Sequence, residues 1–179
     1  MQQGDEFYYM AEALLGKVLG EDYTIIKKYK GSDLEHKEYH PLIEDVDYSK
    51  IREKCHYVVC DNYVTMGDGT GIVHIAPAFG EDDSRVGRKY GLPFIQYVDA
   101  KGCMTKETPW EGVFVKKADG KILDYLKEHN RLFSAPSMEH SYPFCWRCDT
   151  PLIYYARESW FIKMTDVRDD LIRNNNTVN

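Results

Sequence analysis

Apolar and polar positions alternate between two periods along the chain. Phe7, Met10, Ala11, Leu14 and Val18 fall at i, i+3, i+4, i+7 and i+11, a spacing that predicts an amphipathic helix closed by Gly20. "YTIIKKYK" predicts a strand ended by Gly31-Ser32-Asp33, and "HYVVCDNYVTM" a second β stretch. "GDGTG" carries enough glycine for a turn with positive φ, after which "GIVHI" predicts a returning strand. "EDDSRVGRKYG" predicts a helix with Glu81, Asp82 and Asp83 in its first turn, Arg88 and Lys89 in its last, and Gly91 as its stop. Charges placed that way suit the helix dipole at both ends. "FIQYVD" is a further strand, turning at Lys101-Gly102. "ADGKILDYLKEHN" is a helix with Ile122, Leu123 and Leu126 on one face and Asn130 at its end. The aromatic run from Arg131 to Ile162 reads as β-rich, and Thr165 starts a last helix. Strands interrupted by helices predict an α+β fold: a mixed, barrel-like β-sheet with peripheral helices.

Composition narrows the classes. With 179 residues, 43% apolar and 29% charged, the chain has the make-up of an ordinary soluble domain. It holds no apolar run long enough to span a bilayer, so no membrane partner is expected. "MQQGDEFYYM" is acidic and aromatic, unlike a secretory leader. Five cysteines, an odd number, favour a reducing compartment and hence the cytoplasm. A net charge of −6 argues against a broad nucleic-acid surface but leaves room for local strips. "KKYK" and "FVKKADGK" are such strips, although solvated lysines are the simpler account of each.

Two constellations carry candidate chemistry. His74 lies near the end of the predicted "GIVHI" strand, and the acids from Glu81 to Asp83 open the next helix, so the "APAFG" loop brings an imidazole and carboxylates to one mouth. Taken alone, the pattern also suits a hydrogen-bonded strand histidine and acids that only cap a helix. "CWRC" places Cys145 and Cys148 at zinc-knuckle spacing. Pro151 and the β-like "LIYY" argue against a redox motif, which would open a helix. A closed zinc site takes four ligands, and no second Cys-x-x-C exists here. Cys55 and Cys60, five apart, would point to opposite faces of one strand and read as core. Half a zinc site remains.

The stretch "GTGIVHIAPAFGEDD" resembles the signature of the editing domain inserted in isoleucyl-tRNA synthetases. Valyl and leucyl enzymes share the Gly-Thr-Gly start but resemble the chain less at the histidine and at "PAFG". "HSYPFCWRCDTPLIYYARESWFI" is similar to the part of the isoleucyl enzymes where the insertion returns to the catalytic domain. The two motifs lie in register across most of the chain. The resemblance implies an editing core over residues 1–140 and a return segment over 141–179 bearing the half knuckle. It implies hydrolytic proofreading: deacylation of Val-tRNA(Ile), with the valine-bearing 3′ end of tRNA(Ile) and the remainder of isoleucyl-tRNA synthetase as partners. This family is itself the standard illustration that one methylene is worth only about 1–3 kcal/mol of discrimination, which is why a second sieve is needed.

Carried over residue by residue, the resemblance implies that Asp83 holds the substrate α-ammonium. A carboxylate about 4 Å from an ammonium interacts by roughly 4 kcal/mol at an effective dielectric near 20, before desolvation. His74 matches the histidine lining the amino-acid pocket, where it would reject isoleucine by bulk or order water. Gly69, Thr70 and Gly71 match the turn beside the site, Ala76 and Pro77 its floor, and Tyr142 a tyrosine near the amino-acid pocket. Editing by this chemistry needs no cofactor; zinc belongs to the longer parent. The family's threonine-rich strand and its partner Cys-x-x-C have no counterpart in these residues. Nor do the signatures for ATP and tRNA charging, so the sequence reads as an excised piece, expected to fold but not to edit alone. The alternative is a non-catalytic module that grips tRNA or braces the synthetase.

Overall fold

The computed structural model describes residues 1–49, 51, 55–67, 69–137 and 139–178. Asp68, inside the predicted glycine-rich turn, and Met138, inside the predicted β-rich run, lie outside them. The chain opens with a two-stranded antiparallel ladder, β1 (Gln2–Gln3) and β2 (Glu6–Phe7), turned at Gly4. A short 3₁₀ turn, Glu12–Leu14, runs into α1 (Leu15–Leu19). Three longer helices follow: α2 (Glu81–Tyr90), α3 (Val115–Glu128) and α4 (Met164–Asn175).

The predicted helix from Phe7 to Val18 is thus trimmed to its second half. Hydrogen bonds to distant segments hold the first half extended: Tyr8 N–H donates to Met1 C=O at 3.0 Å and Ala11 N–H to Thr70 C=O at 2.8 Å. A backbone donor committed elsewhere cannot serve the helical ladder. The stop is as predicted, since Gly20 takes φ 74°.

The helix predicted from the acidic "EDD" start runs as expected. Gly91 closes α2 in the left-handed region (φ 65°), where its N–H reaches Gly87 C=O. The next helix begins at Val115, three residues ahead of the predicted Ala118. Ala118 is its buried residue, Ile122, Tyr125 and Leu126 are half-buried, and Leu123 faces solvent. Asn130, in a left-handed conformation, follows its end as predicted.

The predicted strands behave differently. Residues 25–30, 58–66, 72–76 and 94–97 belong to no ladder, and pairing outside β1–β2 is confined, among the described residues, to isolated bridges. One set of bridges is well built. Val98 pairs with Met104 and Cys103 with Phe114, around a turn in which Asp99 Oδ1 accepts from the N–H groups of Lys101 (2.8 Å) and Cys103 (2.9 Å). Gly102 is required there: its φ is 78°, and a Cβ would come within 2.7 Å of Ile153 and 2.9 Å of the Phe114 ring. The class is mixed helix and sheet, as expected, but no barrel closes among the described residues.

The core is small. Leu14, Leu15, Leu19, Val46, Ala78, Val86, Val98 and Ala118 are its buried apolar residues. Accessible surface totals 14477 Å², against about 9,000 Å² for a compact monomer of this mass. Trp160 and Phe161 are 102% and 85% exposed. Among the described residues no helix is long and apolar enough to cross a membrane.

Because so few residues hold the core, each counts. Leu15→Ala at a 2% exposed position is expected to cost about 2–5 kcal/mol. Tyr154→Ala at a 73% exposed position should stay within about 0.5 kcal/mol. Urea unfolding of the two variants checks the contrast.

Candidate functional site

The loop between His74 and α2 is fixed from both of its ends. Pro77 lies against Gly87 on α2, where a Cβ would meet the Pro77 ring at 2.9 and 3.0 Å. Ala78 is buried, its C=O accepting from Ala156 N–H at 2.8 Å, and Phe79 N–H closes a turn onto Ala76 C=O at 2.9 Å. Gly80 is the N-cap of α2 and has no side chain to cap it, so the first turn must find partners elsewhere.

Asp83 makes use of that gap. Its side chain turns back over Gly80, Oδ2 accepting from Ala76 N–H at 3.2 Å and Oδ1 from the Tyr63 hydroxyl at 3.2 Å. A Cβ on residue 80 would come within 2.7 Å of Oδ2 and 2.9 Å of Cγ. Tyr63 is half-buried, and burial together with the Asp83 charge pushes its phenol up to about 12. It therefore remains a donor. Asp82 points elsewhere: it is mostly exposed and pairs with Arg85 at 3.2 Å. Of the three acids, Asp83 is the one hydrogen-bonded to the loop.

Arg85 clamps the 61–63 segment onto α2. Its guanidinium donates to both oxygens of Asp61, at 3.1 and 2.9 Å, and lies 5.9 Å from the Tyr63 ring centroid. Lys89 adds a second cation 3.6 Å from Asp61, whose side chain is only 11% exposed. The Arg85 hydrogen bonds hold the Asp61 carboxyl down to about 2. One turn on, Tyr90 bonds Glu35 and the Cys60 carbonyl, extending the seam.

His74 stands two residues before Ala76, at most about 7 Å of chain away, and its side chain is exposed. Among the described residues it has no carboxylate partner, so nothing here orients it as a base. Thr70 and Gly71 meet the segment before α1, Thr70 C=O accepting from Ala11 N–H at 2.8 Å. Gly71, at φ 75°, lies so close to Ala11 that a Cβ would meet the alanine Cβ at 2.5 Å. Gly71 and Ile72 border a groove of about 590 Å³, with Phe7, Tyr9, Ile25 and Tyr29 along its wall. Lys37 and Lys27 lie over the rings of Tyr9 and Tyr29, at 4.7 and 4.8 Å.

Tyr142 belongs to a third place. Its hydroxyl donates to Leu152 C=O at 2.6 Å, and Lys116 of α3 caps its ring at 4.5 Å. It braces the turn that carries Cys145 and Cys148. That turn is knuckle-shaped: Asp149 N–H donates to Cys145 C=O at 2.8 Å and Cys145 N–H to Thr150 C=O at 2.9 Å. Thr150 hydrogen-bonds the Cys148 sulfur at 3.1 Å and lowers its thiol pKa. A lowered thiol suits a metal ligand. Two thiols fall short of the four that a structural zinc takes, and no cluster of three or more candidate ligands occurs among the described residues.

The structure thus joins Ala76 to Asp83 and Pro77 to α2, leaves His74 two residues before Ala76, and gives Gly71 a contact with Ala11 and Tyr142 a hydrogen bond to Leu152. Tyr63, Gly80 and the Asp61–Arg85 clamp carry no motif of their own. The nearest signal is Gly80, a glycine just before a helix whose third residue is an acid.

The carboxylate of Asp83 is thus fixed at a loop mouth by two neutral donors, the Ala76 amide and the Tyr63 hydroxyl. Across its full length the chain is similar to one segment of isoleucine–tRNA ligases. It is 48% identical over 180 residues, 100% of the chain, to that of Clostridium novyi, and 51% identical over 175 residues, 97% of the chain, to that of Clostridium kluyveri. The ligase of Thermococcus kodakarensis is 45% identical over 182 residues, 97% of the chain. The chain spans only 16–17% of the length of these relatives. No family model matches it.

The clamp makes a pH prediction. A carboxyl held at about 2 when folded, against 3.8 ordinarily, stabilises the fold above its unfolded value. That contribution fades as pH falls from about 4 through about 2. Asp61→Asn should therefore lower stability at pH 7 and flatten its decline between pH 4 and 2, followed by thermal unfolding across that range.

Proposed function

We propose that this chain is an editing segment of an isoleucine–tRNA ligase that deacylates Val-tRNA(Ile). The observation that carries the reading is the carboxylate of Asp83, drawn into the loop after His74, in a chain similar throughout to such ligases. In this reading Asp83 takes the α-ammonium of the valyl ester, and His74 limits the size of the amino-acid side chain. Water attacks the ester carbonyl, the bond to the ribose oxygen breaks, that oxygen takes up a proton, and valine leaves. The Gly69–Gly71 turn, the Ala76–Pro77 floor and Tyr142 line the substrate path once the rest of the ligase is in place. The unpaired extended runs become strands of a barrel completed by neighbouring segments. Cys145 and Cys148 offer zinc two of its four ligands; zinc would fix the hairpin and takes no part in the hydrolysis. The reaction belongs to the cytoplasm, where the ligase and its tRNA work.

In this account a threonine-rich strand of the kind the resemblance implies supplies further preorganised donors around the ester. Losing one preorganised donor of that kind costs about 10²–10³ in rate. Val-tRNA(Ile) hydrolysis should be slow with the chain alone and at least about 10²-fold faster with a version extended upstream through the threonine segment. In that version Asp83→Ala abolishes most of the rate and Asp82→Ala little, while His74→Ala lets Ile-tRNA(Ile) be hydrolysed. Equal effects at residues 82 and 83 would mean that the wrong acid is assigned. Tight tRNA binding without hydrolysis in either version would favour the non-catalytic bracing module instead.

A further inference from the structure

Asp83 can hold an ammonium only if its carboxylate stays in one orientation with acceptor positions to spare. A carboxylate has about four such positions. Ala76 N–H takes one on Oδ2 and the Tyr63 hydroxyl one on Oδ1, which leaves about two for a cation. Neither internal donor is charged, so neither competes with a ligand cation as an ion-pair partner. Arg85, the nearby cation, spends its donors on Asp61, Asp82 and no oxygen of Asp83. The clamp holds the 61–63 segment without help from Asp83, so Tyr63 has an independent footing from which to direct it.

We propose that Tyr63 is the positioning residue of the site: its hydroxyl, opposite the Ala76 amide, fixes the Asp83 carboxylate for the substrate α-ammonium, and Gly80 leaves the space in which it lies. This rests on the editing reading above. Tyr63 touches no reacting atom and acts only through Asp83. Its effect is therefore confined to substrates with a free amino group.

The test uses a complete isoleucine–tRNA ligase carrying this segment, with Val-tRNA(Ile) and N-acetyl-valyl-tRNA(Ile) as substrates in steady-state deacylation. Tyr63→Phe should raise KM for Val-tRNA(Ile) about tenfold, the worth of one hydrogen bond to a charged group, with kcat within about twofold. The N-acetyl substrate, which has no ammonium, should be cleaved equally by both enzymes. Gly80→Ala, whose Cβ displaces the carboxylate, should reproduce the pattern and guards against a folding defect peculiar to residue 63. Loss on both substrates alike, or no loss on either, overturns the positioning role while leaving editing intact. Failure of the unsubstituted ligase to deacylate Val-tRNA(Ile) overturns the editing reading, and this inference with it.

Discussion

The carboxylate of Asp83 is where three separate pieces of chain meet. It sits in the first turn of α2, turns back on the loop at Ala76 and takes the hydroxyl of Tyr63. Around it, two glycines are places where a side chain would not fit. At Gly80 a Cβ would strike the carboxylate, and at Gly87 it would strike Pro77. The loop is thus pressed onto α2 at both ends, with the Asp61–Arg85 clamp holding the third piece. A half-buried carboxylate needs hydrogen-bond partners, and here two neutral donors from two other pieces of chain supply them.

What was legible in the sequence was local. The ends of α2 could be read because the charges of its first and last turns and its glycine stop point to one answer. The later helices and the turn at Asp99 were legible for the same reason. The β stretches were not, because a strand is defined by its neighbour. Ile25 and Ile26, adjacent in "YTIIKKYK", are 40% and 55% exposed, so neither face of that run is covered. The first helix failed where Thr70 and Met1 claimed backbone donors that periodicity alone assigns to the helix.

The site shows the same division. Asp83 could be singled out from a motif, since a helix-start acid after a glycine loop has a recognisable setting. Tyr63 could not: it lies 20 residues away, in a stretch with no signature, and only the folded chain brings it to the carboxylate. Tyr142 lies in the second motif and the Gly69–Gly71 turn opens the first, yet the fold gives each a local task. One braces the knuckle and the other packs on Ala11. Phe7, Trp160 and Phe161 remain exposed at 67%, 102% and 85%.

The account stands or falls on whether Asp83 receives an ammonium. Carboxyl-¹³C NMR of the chain labelled at aspartate reports this directly, during titration with a non-hydrolysable valyl-adenosine amide and with its counterpart lacking the amino group. The account predicts that the Asp83 carboxyl resonance moves with the valyl compound and stays in place with the deaminated one. An equal response to both compounds, or movement at Asp82 in place of Asp83, would contradict it.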